Sequence, residues 1–135
     1  MPKPTPAQVA NQAAEAIRTL NHLTLNQTDL SAPAISSIVQ GLAELLDRLP
    51  QTFEQLARQL GKRETDGLVR MENGMPARPY VIEVIGSLDS AAKLVAPANY
   101  ATYGAPAGPL GAAVHNAASL LYNMSAPWTE DDEDD

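Results

Sequence analysis

The sequence predicts an all-α protein, an antiparallel bundle of four to five helices followed by a disordered acidic C-terminal tail. Three observations predict it. Between Ile35 and Leu60 the large apolar residues fall at Ile35, Ile38, Val39, Leu42, Leu45, Leu46, Leu49, Phe53, Leu56 and Leu60, the spacing in threes and fours of one helix face. The one candidate strand, Tyr80 to Ile85, has no second candidate to pair with. The last six residues are all acids. The chain divides accordingly into a flexible lead at 1–5, a helical bundle at 6–126 and an acidic tail at 127–135.

The first helix is set by Thr5 as N-cap, Pro6 at the first helical position and Gln8 closing a capping box. Val9, Ala13, Ala16, Ile17 and Leu20 repeat at helical spacing, and the polar Asn21, His22, Asn26 and Gln27 lead out. Thr28 to Ser31 reads as a loop whose Ser31 caps a second helix, with Pro33 tolerated in a first turn where backbone donors are unpaired. That helix is expected to run to about Leu49. Pro50 removes a helical hydrogen bond and clashes with the preceding turn, at about 3 kcal/mol, so a break or sharp kink is expected there. Thr52 with Gln55 forms a second capping pattern, which favours a restart at Phe53. The apolar register survives across Pro50, so both helices turn their apolar faces to one core.

The third helix is expected from Phe53 to Leu60. Gly61, the polar stretch Lys62 to Asp66, and Gly67 predict fraying or a loop through Asn73. Pro79 suits a first helical turn, and Tyr80, Val81, Val84, Ile85, Leu88, Ala92 and Val95 continue a helical stripe that outweighs the strand alternative. Pro97 interrupts it, Tyr100 to Pro109 reads as a long connection, and Leu110, Val114, Ala117, Leu121 and Met124 mark the final helix.

Composition bounds the function. The chain has 135 residues, 44% of them hydrophobic, enough for one domain with a single core. Aromatic residues are scarce, so aliphatic side chains and close helix contacts must supply that core. The absence of cysteine excludes disulfides, thiolate metal sites and cysteine nucleophiles. No apolar run approaches the roughly 20 residues of a membrane span, and Met1 to Pro6 lacks the pattern of a signal peptide, so a cytoplasmic protein without membrane association is the expectation. The formal net charge is -7, of which Glu130, Asp131, Asp132, Glu133, Asp134 and Asp135 supply all but one unit. A near-neutral body has no general electrostatic reason to bind nucleic acid.

Sites for chemistry are few. His22 and His115 are the two histidines, and neither has a His or carboxylate partner at helical metal-ligand spacing, so no metal or cofactor is expected. His115 and Ser119 share a helix face and can be pictured as base and nucleophile. No third orienting group or oxyanion element is visible beside them, and a solvated polar pair is the plainer reading. Gly104, Gly108 and Gly111 follow no strand and precede no Lys-Ser or Lys-Thr, which leaves no phosphate cradle. Gly41, inside the second helix, marks either a close helix crossing or a tolerated cost of about 1 kcal/mol.

Two resemblances can be read. Phe53 to Gly74, FEQLARQLGKRETDGLVRMENG, resembles the helix-turn-helix of small repressor-type regulators. Ala57 and Gly61 have the spacing that lets such helices pack, Leu56 and Leu60 fit the core positions, and Arg58, Lys62, Arg63 and Arg70 would contact DNA. The pattern departs at Lys62, where the family has an apolar residue, and at Gly67, inside the expected recognition helix. The basic residues also alternate with Glu64, Asp66 and Glu72, as on a solvated mixed face. Separately, GLAELLDRLPQTFEQLARQL, followed by an Ala-rich helical half, is similar to short helical-bundle proteins of actinomycetes with a Leu-Pro-Gln step between two amphipathic helices. This second resemblance implies the fold and brings no functional site.

The tail is the remaining candidate. Trp128 can anchor in an apolar pocket of a partner while Glu130, Asp131 and Asp132 select a basic one. The alternative is that Trp128 covers the end of the bundle and the acids keep it soluble. The expectation is therefore a non-enzymatic interaction or assembly protein, engaging another protein or self-associating, with a DNA-associated regulator as the alternative.

Overall fold

The computed structural model describes residues 2–98 and 107–124, and within them the protein is all-helical. Four helices follow in order: α1 Pro6–Asn26, α2 Ala32–Thr65, α3 Arg78–Val95 and α4 Pro109–Tyr122. The chain divides between Ser31 and Ala32 into two units, a boundary that falls within the stretch 6–126.

The first unit is built on α1. Its start is as the sequence predicts: Gln8 N–H donates to Thr5 Oγ1 at 3.2 Å, and Thr5 N–H donates to Gln8 Oε1 at 2.9 Å. Two backbone N–H donors left unpaired at the helix start are thereby satisfied. None of the residues of α1 is buried.

The second unit is a helix-on-helix packing organised by α2, which runs unbroken for 34 residues with Pro50 inside it. This corrects the expected break at Pro50, while the four helices among the described residues agree with the expected four to five. The second helix does not end at Leu49, and the segment from Phe53 onward is its continuation. Packing explains the tolerance, because Pro50 is almost completely buried and its ring fills space between helices. Thr52 is no cap either: its hydroxyl donates to the Arg48 carbonyl one turn back, as a mid-helix threonine does. The helix also passes Gly61 and reaches Thr65 before it ends. Residues 66–77 form turns, with Gly67 at φ +72° and Gly74 at φ +75°, backbone that only glycine adopts without strain.

Helix α3 returns antiparallel to α2. A Cβ added at Gly61 would lie 3.4 Å from Ile85 Cδ1, and Ala57 and Asp89 line one hollow. Carrying that register along both helices sets Pro50 opposite Ala96, where α3 ends. Helix α4 begins there: Gly108 N–H donates to Ala96 O at 2.9 Å, and His115, two turns on, meets Asp47 of α2. Helices α3 and α4 therefore line the same helix in succession, both antiparallel to it. Glycine makes the junction possible, since a Cβ at Gly108 would stand 1.9 Å from Lys93 O and one at Gly111 would stand 2.8 Å from Ala96 O.

The core of this unit is made of small side chains. Among the described residues the buried apolar ones are Ala43, Ala57, Val81, Ala92, Val95 and Ala96, with Pro50. On α2 the buried positions are Ser36, Ala43, Pro50 and Ala57, each seven residues from the next. Small residues along one line let α3 and α4 approach closely. The large residues of the predicted stripe lie beside that line: Leu42, Leu45 and Leu49 are half-buried, while Ile35 and Leu56 are 38% and 50% exposed.

Candidate interaction surface

Because the small residues occupy the helix contact, the large ones are left to form surface. Burying a CH₂ group contributes about 0.8 kcal/mol and a Leu or Ile side chain about 1.5–3 kcal/mol, so Leu42, Leu45 and Leu49, half-buried beside the Ala and Val core, realise only part of what full burial would give. Exposed large apolar side chains occur on every helix, and several of them gather near one end of α2. One turn beyond Leu56, Leu60 forms the floor of an open groove of about 560 Å³ with Val69, Met71, Tyr80, Val84 and Leu88. Tyr80 and Val84 are 41% and 45% exposed, and Leu68 and Met75, in the turns beside it, are 62% and 55% exposed. The outer stripe of α2 leads directly into the groove through Leu56 and Leu60.

The opposite edge of the α2–α3 contact is polar. A hollow there is lined by Glu54, Ala57, Arg58, Gly61, Ile85 and Asp89, so Arg58 stands among carboxylates. Of the other basic residues proposed for DNA contact, Lys62 and Arg63 are exposed in the last turn of α2 and Arg70 is exposed in the following turns. The structure does not gather them on one recognition helix. Residues 53–65 belong to the end of α2, and 66–77 hold no helix that could enter a groove of DNA.

One polar pair was invisible in the sequence. His115 Nε2 lies 2.6 Å from Asp47 Oδ1, bridging α4 to α2 across 68 residues of chain, with the two side chains 43% and 34% exposed. A search at helical spacing cannot find a partner on another helix. The carboxylate orients the imidazole, as in a hydrolytic triad, but Ser119 is exposed one turn along the same helix. Both residues sit inside α4, where backbone N–H groups are engaged in the helix and none is turned out to hold an oxyanion. The pair thus acts as a tie between helices. Among the described residues no group of three or more His, Asp or Glu side chains is placed to hold a metal ion, and no helix is long and apolar enough to cross a membrane.

Trp128, Glu130, Asp131 and Asp132 lie outside the described residues. Comparison with known proteins matches no family model, no curated protein and no solved structure.

Proposed function

We propose that this is a non-enzymatic interaction or assembly protein, in which the second unit presents an apolar helical surface to be covered by another helical surface. One observation carries the reading: the described core is Ala and Val, while Leu, Ile, Met and Tyr side chains line the outer stripe of α2 and the groove at its end. A self-sufficient domain places its large hydrophobes inside, and contiguous exposed apolar surface marks a site of association. A groove between two antiparallel helices is also the shape that accepts a third helix, whose apolar side chains enter at helical spacing.

The test is the size of the native species. Extracts of the source cells, resolved by size under non-denaturing conditions, should place the protein in a complex larger than its 14.4 kDa. Leu56→Asp and Tyr80→Asp, both at exposed positions, should release it to monomer size while leaving its helix content intact. A wild-type protein that runs as a monomer in the extract and when concentrated would overturn the proposal.

A further inference from the structure

The turns between α2 and α3 hold a site of spontaneous chemical modification, and we infer that it is the Asn73–Gly74 bond, which converts through a succinimide to an aspartate or isoaspartate link. This goes beyond the assembly reading and does not depend on it. Every asparagine among the described residues is exposed, so exposure does not single one out. Asn11, Asn21, Asn26 and Asn116 lie within helices, where the next backbone nitrogen is held in the helical hydrogen-bond ladder. Asn123, at the end of α4, is followed by the bulky Met124. Asn73 alone in the sequence precedes glycine, and it stands outside any helix. The missing side chain leaves the Gly74 nitrogen unhindered and its backbone free to turn.

Local hydrogen bonds draw the reacting groups together. Met75 N–H donates to Asn73 Oδ1 at 3.0 Å, and the loop closed by that bond contains the Gly74 nitrogen. The bond folds the carboxamide back along the chain and draws electrons from Cγ, the atom to be attacked. Gly74 sits at φ +75°, and its N–H donates to Met71 O at 3.1 Å in an exposed turn, a single bond that local opening releases. Solvent base then removes the Gly74 amide proton. The nitrogen forms a bond to Asn73 Cγ, the Cγ–Nδ2 bond breaks, and Nδ2 takes a proton from water and leaves as ammonia. Water opens the succinimide at either carbonyl, and nothing is oxidised or reduced. Attack at Cγ gives aspartate, whereas attack at the main-chain carbonyl gives isoaspartate, in which the chain runs through Cβ and Cγ. The isoaspartate link moves the oxygen that holds Met75 into the main chain and lengthens the turn by a methylene. It also places a new carboxylate two residues from Met71, a wall of the apolar groove.

Tryptic mapping of the full chain by mass spectrometry, after weeks at physiological temperature and mildly alkaline pH, tests the inference. The peptide that begins at Met71 should gain the mass difference between an amide and an acid. That conversion should run at least about tenfold faster than at Asn11, Asn21, Asn26, Asn116 or Asn123, with a rate proportional to hydroxide and isoaspartate among the products. Asp66–Gly67, in the same turns, falls on the preceding tryptic peptide and does not enter the reading. A sample held unfolded in guanidinium chloride sets the scale, and the folded rate should lie within about tenfold of it, because a single exposed hydrogen bond has to open. Gly74→Asp adds bulk with a residue that tolerates positive φ, and it should slow conversion at least about tenfold with helix content unchanged. A folded chain whose Met71 peptide stays unmodified while the unfolded sample converts would overturn the inference. So would aspartate formed without isoaspartate, or a Gly74→Asp chain that converts as fast as the parent.

Discussion

Replacing Gly111 by Ala tests the junction on which the second unit turns. In the interior of a helix the change from Gly to Ala ordinarily stabilises by about 1 kcal/mol, because glycine loses more backbone freedom on folding. At Gly111 the new methyl would meet Ala96 O at 2.8 Å, Val95 O at 2.9 Å and Val95 C at 3.3 Å. These are main-chain atoms at the end of α3, so relief requires moving the start of α4 bodily by several tenths of an ångström. Overpacking of that kind costs about 1–3 kcal/mol, which outweighs the propensity gain and leaves a net loss of up to about 2 kcal/mol. Gly86→Ala is the control, since nothing lies within 4 Å of its added Cβ, and it should stabilise by about 0.5–1 kcal/mol. Gly108→Ala, whose methyl would stand 1.9 Å from Lys93 O, should lose most. Urea unfolding followed by circular dichroism, at one fixed protein concentration, orders the three. Finding Gly111→Ala at least as stable as Gly86→Ala would refute the packing of α4 on the end of α3.

Three further outcomes follow from the same geometry. Pro50→Ala restores a donor for the Leu46 carbonyl and removes a helix penalty of about 3 kcal/mol, partly offset by the apolar volume lost, so a net stabilisation of about 1–2 kcal/mol should appear in urea unfolding; a loss would mean that the ring's packing dominates. A double-mutant cycle on Asp47→Ala and His115→Ala should give a coupling of about 0.5–1 kcal/mol, the range of a partly exposed pair, and a value of zero would remove the tie between α2 and α4. Gel shifts at low salt, where phosphate contacts are strongest, should show no DNA complex, and a shift abolished by charge reversal at Arg63 and Arg70 would favour the regulator reading.

Local chemistry was legible wherever a helix end is decided by neighbours in sequence. Thr5 and Gln8 announce the start of α1, and Pro79 sits in the first turn of α3, whereas Pro109, read as the end of a connection, is the first residue of α4. Pro50 was misleading because its local penalty is met by burial between helices, a tertiary effect with no sequence signature. The stripe from Ile35 to Leu60 was read correctly as one face of helical spacing, but that spacing does not say which edge of the face meets the rest of the chain. Small residues between the leucines decide it, since Ala43 and Ala57 permit closer approach than Leu42 and Leu56. The tie from His115 to Asp47 depends on the antiparallel register of α4 on α2, which no spacing along one helix encodes.

The account stands on the outer stripe of α2 being covered in the assembled protein. Because the chain has no cysteine of its own, thiol labelling in intact source cells reads this at single positions. Thr52→Cys lies between Leu49 and Leu56 at helical spacing on that stripe and Gln51→Cys one residue outside it, and both positions are exposed in the chain alone. The account predicts that Thr52→Cys labels at least about tenfold more slowly than Gln51→Cys in cells, and at the same rate once the protein is unfolded. Equal rates in intact cells would contradict it.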